Sequence, residues 1–373
     1  MTTETKIHES TFSEALLLAA SAVEANIGLL LYGAPGTGKS SLYSILAEKI
    51  KLPLAVVIGS QADPSDIGGY PVINKEQDCF VRIPMQTIRD CVKEPRLLLF
   101  DELTTCPGPV QSALLRAFLE RWVGDFKLHS KTRVVAATNQ PEHAPSAVNL
   151  SAAMGGRLAQ IKLVPTLSDI QKFFFSLGEP GSRIRDEATE LAMTFSVQPD
   201  LVQLEPPPAS VAYGVPWGAP RCWEHAVRLM ATMPIDAANH RDVAFAAAAA
   251  TVGETMALAY FAIRDLRQTL PTVEEIVSQP TRAKVPADRT HQVGVICVIA
   301  RVHEQSPESA WMYVERLEPE VRASVARPLM LRKPPKKGTP GYDAFQRVAH
   351  DIATNFLVEK KVVKEGKQTK EKV

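Results

Sequence analysis

Residues Gly33 to Ser40 read GAPGTGKS, a complete GxxxxGK[ST] phosphate-binding loop, set directly after the apolar run Ile27 to Tyr32. Such a loop works only when a strand delivers it and a helix receives it, because its backbone N–H groups and the positive end of that helix must face the phosphates together. Both neighbours are present. The run before it has the length of a buried strand, and Leu42, Ile45, Leu46 and Ile50 follow at helical spacing. The loop assigns Gly33, Pro35, Gly36, Thr37, Gly38, Lys39, Ser40 and Leu42 to the nucleotide. Lys39 would lie on the β and γ phosphates of ATP, and the Ser40 hydroxyl would ligate Mg²⁺, which takes oxygen donors.

The rest of the chain extends this pattern. An amphipathic helix is expected over Thr11 to Ala25, with Phe12, Leu16, Ala19, Ala20 and Val23 forming its stripe. Leu54 to Ile58 has strand length, and QADPSDIGGYPV after it reads as a loop because of Pro64, Gly68, Gly69 and Pro71. Pro71 to Ile73 and Cys79 to Ile83 look like a small inserted hairpin. Strands are expected at Arg96 to Phe100, Thr132 to Ala137 and Ala159 to Val164, with a helix over Pro109 to Trp122 and a short polar hairpin over Asp125 to Lys131. Strands alternating with helices predict an α/β fold, a parallel five-stranded sheet with helices on both faces. Such sheets bind ligands at the carboxyl ends of their strands, and residues 33–40, 101–102 and 138–139 each fall at such an end.

Two of these ends carry candidate chemistry. LLLF precedes Asp101 and Glu102, the form of a Walker B strand. Asp101 would hold a water on the metal, and Glu102 would polarise the attacking water as general base. Asn139 follows VVAAT and is placed to hydrogen-bond the γ phosphate or that water.

Beyond about Pro165 strand alternation stops, and helical pieces are expected near 168–177, 183–197, 221–233, 237–250, 253–268, 288–303, 307–316, 319–329 and 341–358. Pro199 to Pro220 holds six prolines and reads as a connection between helices. Trp217, Trp223 and Trp311 read as core residues. The tail from Glu359 carries six lysines against three glutamates, the composition of a solvated end.

Composition narrows the partners. Of 373 residues 45% are hydrophobic and 22% charged, and the net charge is +1. That balance gives no global pull toward nucleic acid or an acidic membrane. Five scattered cysteines, Cys79, Cys91, Cys106, Cys222 and Cys297, form no CxxC pair, which fits a reducing compartment. No apolar stretch reaches the roughly 20 residues of a membrane span, and no signal peptide is read at the start. A cytoplasmic protein is expected.

Taken in order, GAPGTGKS, QADPSDIGGYPV, LLLFDELTTCPGPVQSALLRAFLERWV, VVAATNQPEHA and GAPRCWEHAVRLM resemble the AAA+ ATPases, and within them the MoxR-like group. The resemblance covers roughly residues 10 to 270. It implies an AAA+ core at 1–165 with a loop and hairpin insertion at 61–84, an α-helical lid at 166–270, and a helical C-terminal extension at 271–373. It also implies a homo-oligomeric ring, usually a hexamer, with ATP bound between neighbouring subunits. Asn139 then corresponds to sensor 1, and Arg221, opening a lid helix, to sensor 2. Arg157, in AMGGRL where the family usually reads DRF, corresponds to an arginine finger for the next subunit, with Arg116 and Arg121 as rivals. A guanidinium suits that task because it is planar and always charged.

The function so implied is ATP hydrolysis coupled to remodelling of a client or adaptor protein. The MoxR-like group commonly acts with a partner bearing a von Willebrand factor A domain. The alternative is a nucleic-acid motor, McrB-like or helicase-loading, for which neither a basic pore nor a DNA-binding domain stands out.

Overall fold

A computed structural model describes residues 7–76, 78–140, 150–208, 214–234, 240–266, 270–288, 292 and 294–356. The PEHA segment and the lysine-rich tail lie outside the described residues. The chain divides into two compact units, Met1–Thr166 with Leu204–Pro206, and Leu167–Gln203 with Pro207–Val373.

In the first unit, β1 (His8–Ser10) leads into α1 (Phe12–Glu24), and β2 (Gly28–Tyr32) is followed by α2 (Lys39–Ile50) and β3 (Leu54–Ile58). Next come α3 (Pro64–Gly68), the hairpin β4 (Tyr70–Asn74) and β5 (Cys79–Ile83), α4 (Gln86–Lys93) and β6 (Leu97–Asp101). The unit closes with α5 (Gly108–Leu119), the short pair β7 (Trp122–Val123) and β8 (Phe126–Lys127), β9 (Arg133–Thr138), α6 (Ala152–Gly155) and β10 (Leu158–Leu163). The main sheet is wholly parallel in the order β1-β10-β2-β9-β6-β3.

Alternation along the strands builds two cores. Leu30, Leu98, Phe100, Val134 and Ala136 face one layer with Ile88, Val110, Leu114 and Phe118 of α4 and α5. Leu29, Leu31, Leu97, Leu99, Val135 and Ala137 face the other, with Ala15 and Ala19 of α1 and Leu42, Tyr43 and Leu46 of α2. Successive side chains on a strand point to opposite faces, so near-continuous apolar runs are what a doubly covered parallel sheet requires.

Four details differ from expectation. The sheet has six strands rather than five. The sixth, β1, is only His-Glu-Ser and too polar to announce itself, but Glu9 pairs with Lys162 at 3.1 Å along the ladder to β10. The QADPSDIGGYPV segment holds a short helix, α3, because Pro64 occupies its first turn, where proline is tolerated, and Asp63 and Asp66 close a capping box. The helix placed over Pro109 to Trp122 stops at Leu119. Arg121 then takes a left-handed backbone (φ 62°), and Trp122 belongs to a strand. Finally, α2 buries Leu42, Tyr43, Leu46 and Ala47, a face turned away from Ile45, which is exposed.

Among the described residues the second unit is built of helices, and no described helix of either unit is long and apolar enough to cross a membrane. Its core gathers Trp311, Tyr313 and Val314 around Ile296–Gln305. Trp223 is fully buried, with its indole N–H donating to Leu201 O at 2.6 Å, while Trp217 is half-buried.

Candidate functional site

The five fully buried residues of β2 deliver Gly33 to the carboxyl edge of the sheet. Gly36 (φ 78°) and Gly38 (φ 97°) then take left-handed backbones that close the loop. Helix α2 starts at Lys39, and Gly38 in front of it offers no capping side chain. The first-turn N–H groups of α2 are therefore left for a ligand, the arrangement that binds phosphate. Thr37 Oγ1 donates to Ala34 O at 2.8 Å and braces the loop from inside. Lys39 is buried along its stem, and its ammonium donates to Gly33 O (2.9 Å), Ala34 O (3.0 Å) and Asn139 Oδ1 (2.8 Å). Leu42, by contrast, is a core residue of α2 whose N–H donates to Gly38 O at 2.9 Å.

Two other strands bring their ends to this loop. β9 ends at Thr138, which puts Asn139 on Lys39. β6 ends at Asp101, whose Oδ2 accepts from Ser40 Oγ at 3.0 Å. Ser40 and Asp101 thus present hard oxygen donors side by side at the mouth of the loop, the donor set Mg²⁺ takes alongside nucleotide phosphates. Beneath them Tyr43 is fully buried with its hydroxyl 2.9 Å from Ala136 O and 3.1 Å from Leu29 O. Burial, reinforced by the Asp101 charge, pushes that phenol well above its ordinary pKa, so it remains a neutral donor tying α2 to the sheet.

Glu102 follows with a left-handed backbone (φ 59°, ψ 40°), a conformation costing a non-glycine residue roughly 1–2 kcal/mol. Several bonds hold it there. Its N–H donates to Asp101 Oδ1 (2.9 Å), and its carbonyl accepts from Thr105 N (3.0 Å) and Thr105 Oγ1 (2.8 Å). Its carboxylate Oε2 accepts from the hydroxyl of Ser60, just past β3. Gly59 packs so closely here that a Cβ on it would lie 3.1 Å from Asp101 O and 3.2 Å from Glu102 O. Cys106 is buried beside the same turn, and burial pushes its thiol up to about 11, so it stays protonated and inert.

Residues 33–40, Asp101, Glu102 and Asn139 therefore converge on one edge. Arg157 does not join them. It precedes β10, whose Leu158 pairs with Gly28, so it sits at the opposite edge, half-buried, with Nη1 donating to Ala153 O at 2.6 Å. Arg121 is at that edge too, donating to Thr132 O and to Asn26 O. Arg116 is exposed, paired with Glu120 at 2.8 Å, and stacked on Trp122. Arg221 is an exposed residue in the first turn of the helix Pro220–Thr232 of the second unit. Ser60, Gly59 and the Thr104–Thr138 pair were not singled out from sequence. Thr138 falls in the strand-end segment 138–139 and Ser60 could have been sought in the same way, but nothing local names their partners.

Comparison with known proteins bears on the same segment of the chain. Residues 29–159 match the model of the ATPase family associated with various cellular activities (AAA). The proteasome-activating nucleotidases of Methanocella arvoryzae and Methanosarcina mazei are each 29% identical to this chain over 131 residues, covering 32% of it and 29% of the relative. The match thus spans under a third of those relatives' length. Among solved structures, the Thermotoga maritima RuvB Holliday junction branch migration motor is 14% identical and covers 74% of this chain and 76% of its own, with a TM-score of 0.38. At that TM-score the likeness says nothing further. The family match rests on the very segment that supplies the loop, the acidic pair and Asn139, so residues 29–159 are similar to the ATPase domain of the AAA family.

Proposed function

We propose that the protein hydrolyses ATP at sites shared between neighbouring copies in a ring and couples that turnover to remodelling a client protein. The observation that carries the reading is the convergence of Lys39, Ser40, Asp101, Glu102 and Asn139 at one sheet edge around an uncapped helix start. Lys39 places a buried positive charge against two loop carbonyls, ready to exchange them for phosphate oxygens. Ser40 and Asp101 would hold Mg²⁺, whose chemistry when bound is to neutralise charge building on the phosphates. Glu102 takes the proton from the attacking water, and its constrained backbone aims the carboxylate for that task. Asn139 positions that water or the terminal phosphate with its side-chain amide.

The transition state wants a further cation, and the sheet argues for where it comes from. Arg157 is separated from its own loop by the length of β2, about 16 Å at roughly 3.3 Å per residue. A guanidinium on one side chain does not span that distance, so any service Arg157 gives to a nucleotide is to another copy. Arg121 is committed to backbone carbonyls at the same edge. Arg221 serves as the sensor on the lid helix in this reading, and the described helices after residue 166 form the lid and its extension.

Coupling to a client is supported by the hairpin β4–β5. Tyr70, Ile73 and Phe80 are 68%, 76% and 62% exposed, although covering a large apolar side chain is worth about 1.5–3 kcal/mol. An isolated two-stranded ribbon is marginal in water, and an apolar one is suited to gripping a partner. A hexameric ring and an adaptor with a von Willebrand factor A domain are what the MoxR-like resemblance implies.

Mixing subunits tests the shared site. Arg157→Ala and Glu102→Gln copies, each inactive alone, should recover part of the turnover when combined, because a mixed interface can unite an intact Glu102 with an intact Arg157. Absence of rescue at every ratio would sink the arrangement.

A further inference from the structure

Strands β6 and β9 are neighbours, yet their ladder ends at Phe100 opposite Ala136. Past that point the chain turns away through the left-handed Glu102 into the single turn Leu103–Thr105. One contact continues the connection. The Thr104 N–H donates to Thr138 Oγ1 at 3.2 Å, and the two hydroxyls are in direct hydrogen-bond contact. Both residues are buried, at 3% and 1% exposure. Thr138 is the last residue of β9 and the immediate neighbour of Asn139, and Thr104 lies two residues beyond Glu102.

We propose that the Thr104–Thr138 hydroxyl pair is a positioning link that joins the Asn139 strand end to the Glu102 turn, so that contact of Asn139 with the terminal phosphate sets the aim of the Glu102 carboxylate. This rests on the reading of Glu102 and Asn139 given above.

Three features argue for it. The link is the side-chain substitute for a ladder rung at the point where the backbones of β6 and β9 part. Both residues are buried, so a Thr104 N–H that lost its acceptor would carry the cost of a desolvated, unpaired donor, and the turn cannot shift freely. And the turn it anchors is the one held in a left-handed conformation, where a small rotation swings the Glu102 side chain. Thr105 and Ser60 bond to Glu102 itself, but only the threonine pair connects the turn to the strand bearing Asn139 among the contacts described for it.

The test uses the intact chain with Thr138→Val, Thr138→Ser and Thr104→Val, measuring ATP affinity and steady-state phosphate release separately. Val keeps the shape of Thr and removes the hydroxyl. Thr138→Val should hold ATP within about twofold of the parent while kcat falls at least about tenfold, the kind of loss misaimed groups produce. Thr138→Ser should restore most of the rate, which a purely space-filling role would not predict. In an Asn139→Ala background Thr138→Val should cost little more, because the link would have nothing left to transmit. If Thr138→Val proves too unstable to bind ATP, Thr104→Val carries the test, since it spares the N–H bond and removes only the hydroxyl contact. Unchanged kcat in the valine variants, failure of serine to rescue, or full additivity with Asn139→Ala would overturn the proposal. Failure of the underlying reading would look different: Glu102→Gln or Asn139→Ala would then turn over ATP like the parent.

Discussion

Gly59→Ala is expected to damage the site from outside it. Gly59 begins the turn after β3, and a Cβ added there would fall deep inside the van der Waals envelope of Cys106 Sγ, as well as 3.1 Å from Asp101 O and 3.2 Å from Glu102 O. Non-bonded heavy atoms settle at about 3.5–4.0 Å, so the sulfur must retreat by more than about 1 Å and the two carbonyls by a few tenths. Little there can give. Cys106 is fully buried, and the Glu102 carbonyl is already held by two donors from Thr105. Overpacking of this kind costs about 1–3 kcal/mol, which should appear as a loss of several degrees in thermal unfolding. The effect on turnover should be larger, because displacing the Asp101–Glu102 backbone by about 1 Å misplaces both carboxylates, a loss on the order of 10²-fold. Adding Cys106→Ala removes the worst overlap while leaving the two carbonyl contacts, so the double variant should recover most of the stability and part of the rate. Thermal unfolding and phosphate release on the three variants decide it. A Gly59→Ala protein that melts and turns over like the parent, or a double variant no better than the single one, would refute the packing argument.

Other perturbations test separate parts. Lys39→Ala should weaken ATP binding at least about tenfold, since it removes the charge-assisted bonds of the loop; titration with a fluorescent ATP analogue measures this. Arg264→Met should lower the urea midpoint by the equivalent of about 3–5 kcal/mol, because Arg264 grips buried Glu187 at 2.5 and 2.8 Å and lies 3.7 Å from buried Glu190. His303 supplies a pH dependence. Burial, then the Arg332 charge, holds its imidazole down to about 4 from an ordinary 6.5. Between those values the unfolded chain binds the extra proton, so stability should fall as the solution is acidified through that window, by on the order of 3 kcal/mol in full. Urea unfolding across that range should show a shallower loss in His303→Gln, and an unchanged slope would remove His303 from the account.

How much of this could be read in advance depends on whether a feature is local. GAPGTGKS and LLLFDE carry their chemistry in consecutive residues, and the strands that deliver them are unbroken apolar runs, so the loop, the acidic pair and the alternating α/β order were visible. Helix positions in the second unit were visible for the same reason, from periodicity. What escaped depended on partners distant in sequence. β1 is three polar residues that form a strand only because β10 offers an edge. The α3 turn hid behind a proline and two glycines, read as breakers although proline suits a first helical turn. The end of α5 was overrun because Arg121 adopts a left-handed backbone that no apolar pattern signals. Ser60 meets Glu102 across 42 residues and Thr104 meets Thr138 across 34, and neither pairing leaves a mark in the local pattern.

The central claim is that Glu102 serves as general base for hydrolysis of ATP held by the Gly33–Ser40 loop. It is tested most directly by measuring bound nucleotide and released phosphate on the same preparation of Glu102→Gln. Glutamine keeps the shape and the contact with Ser60 but cannot take a proton, and a positioned general base is worth about 10²–10⁴-fold. ATP should be retained at parental affinity, with phosphate release slowed by that factor. Release at the parental rate would contradict it.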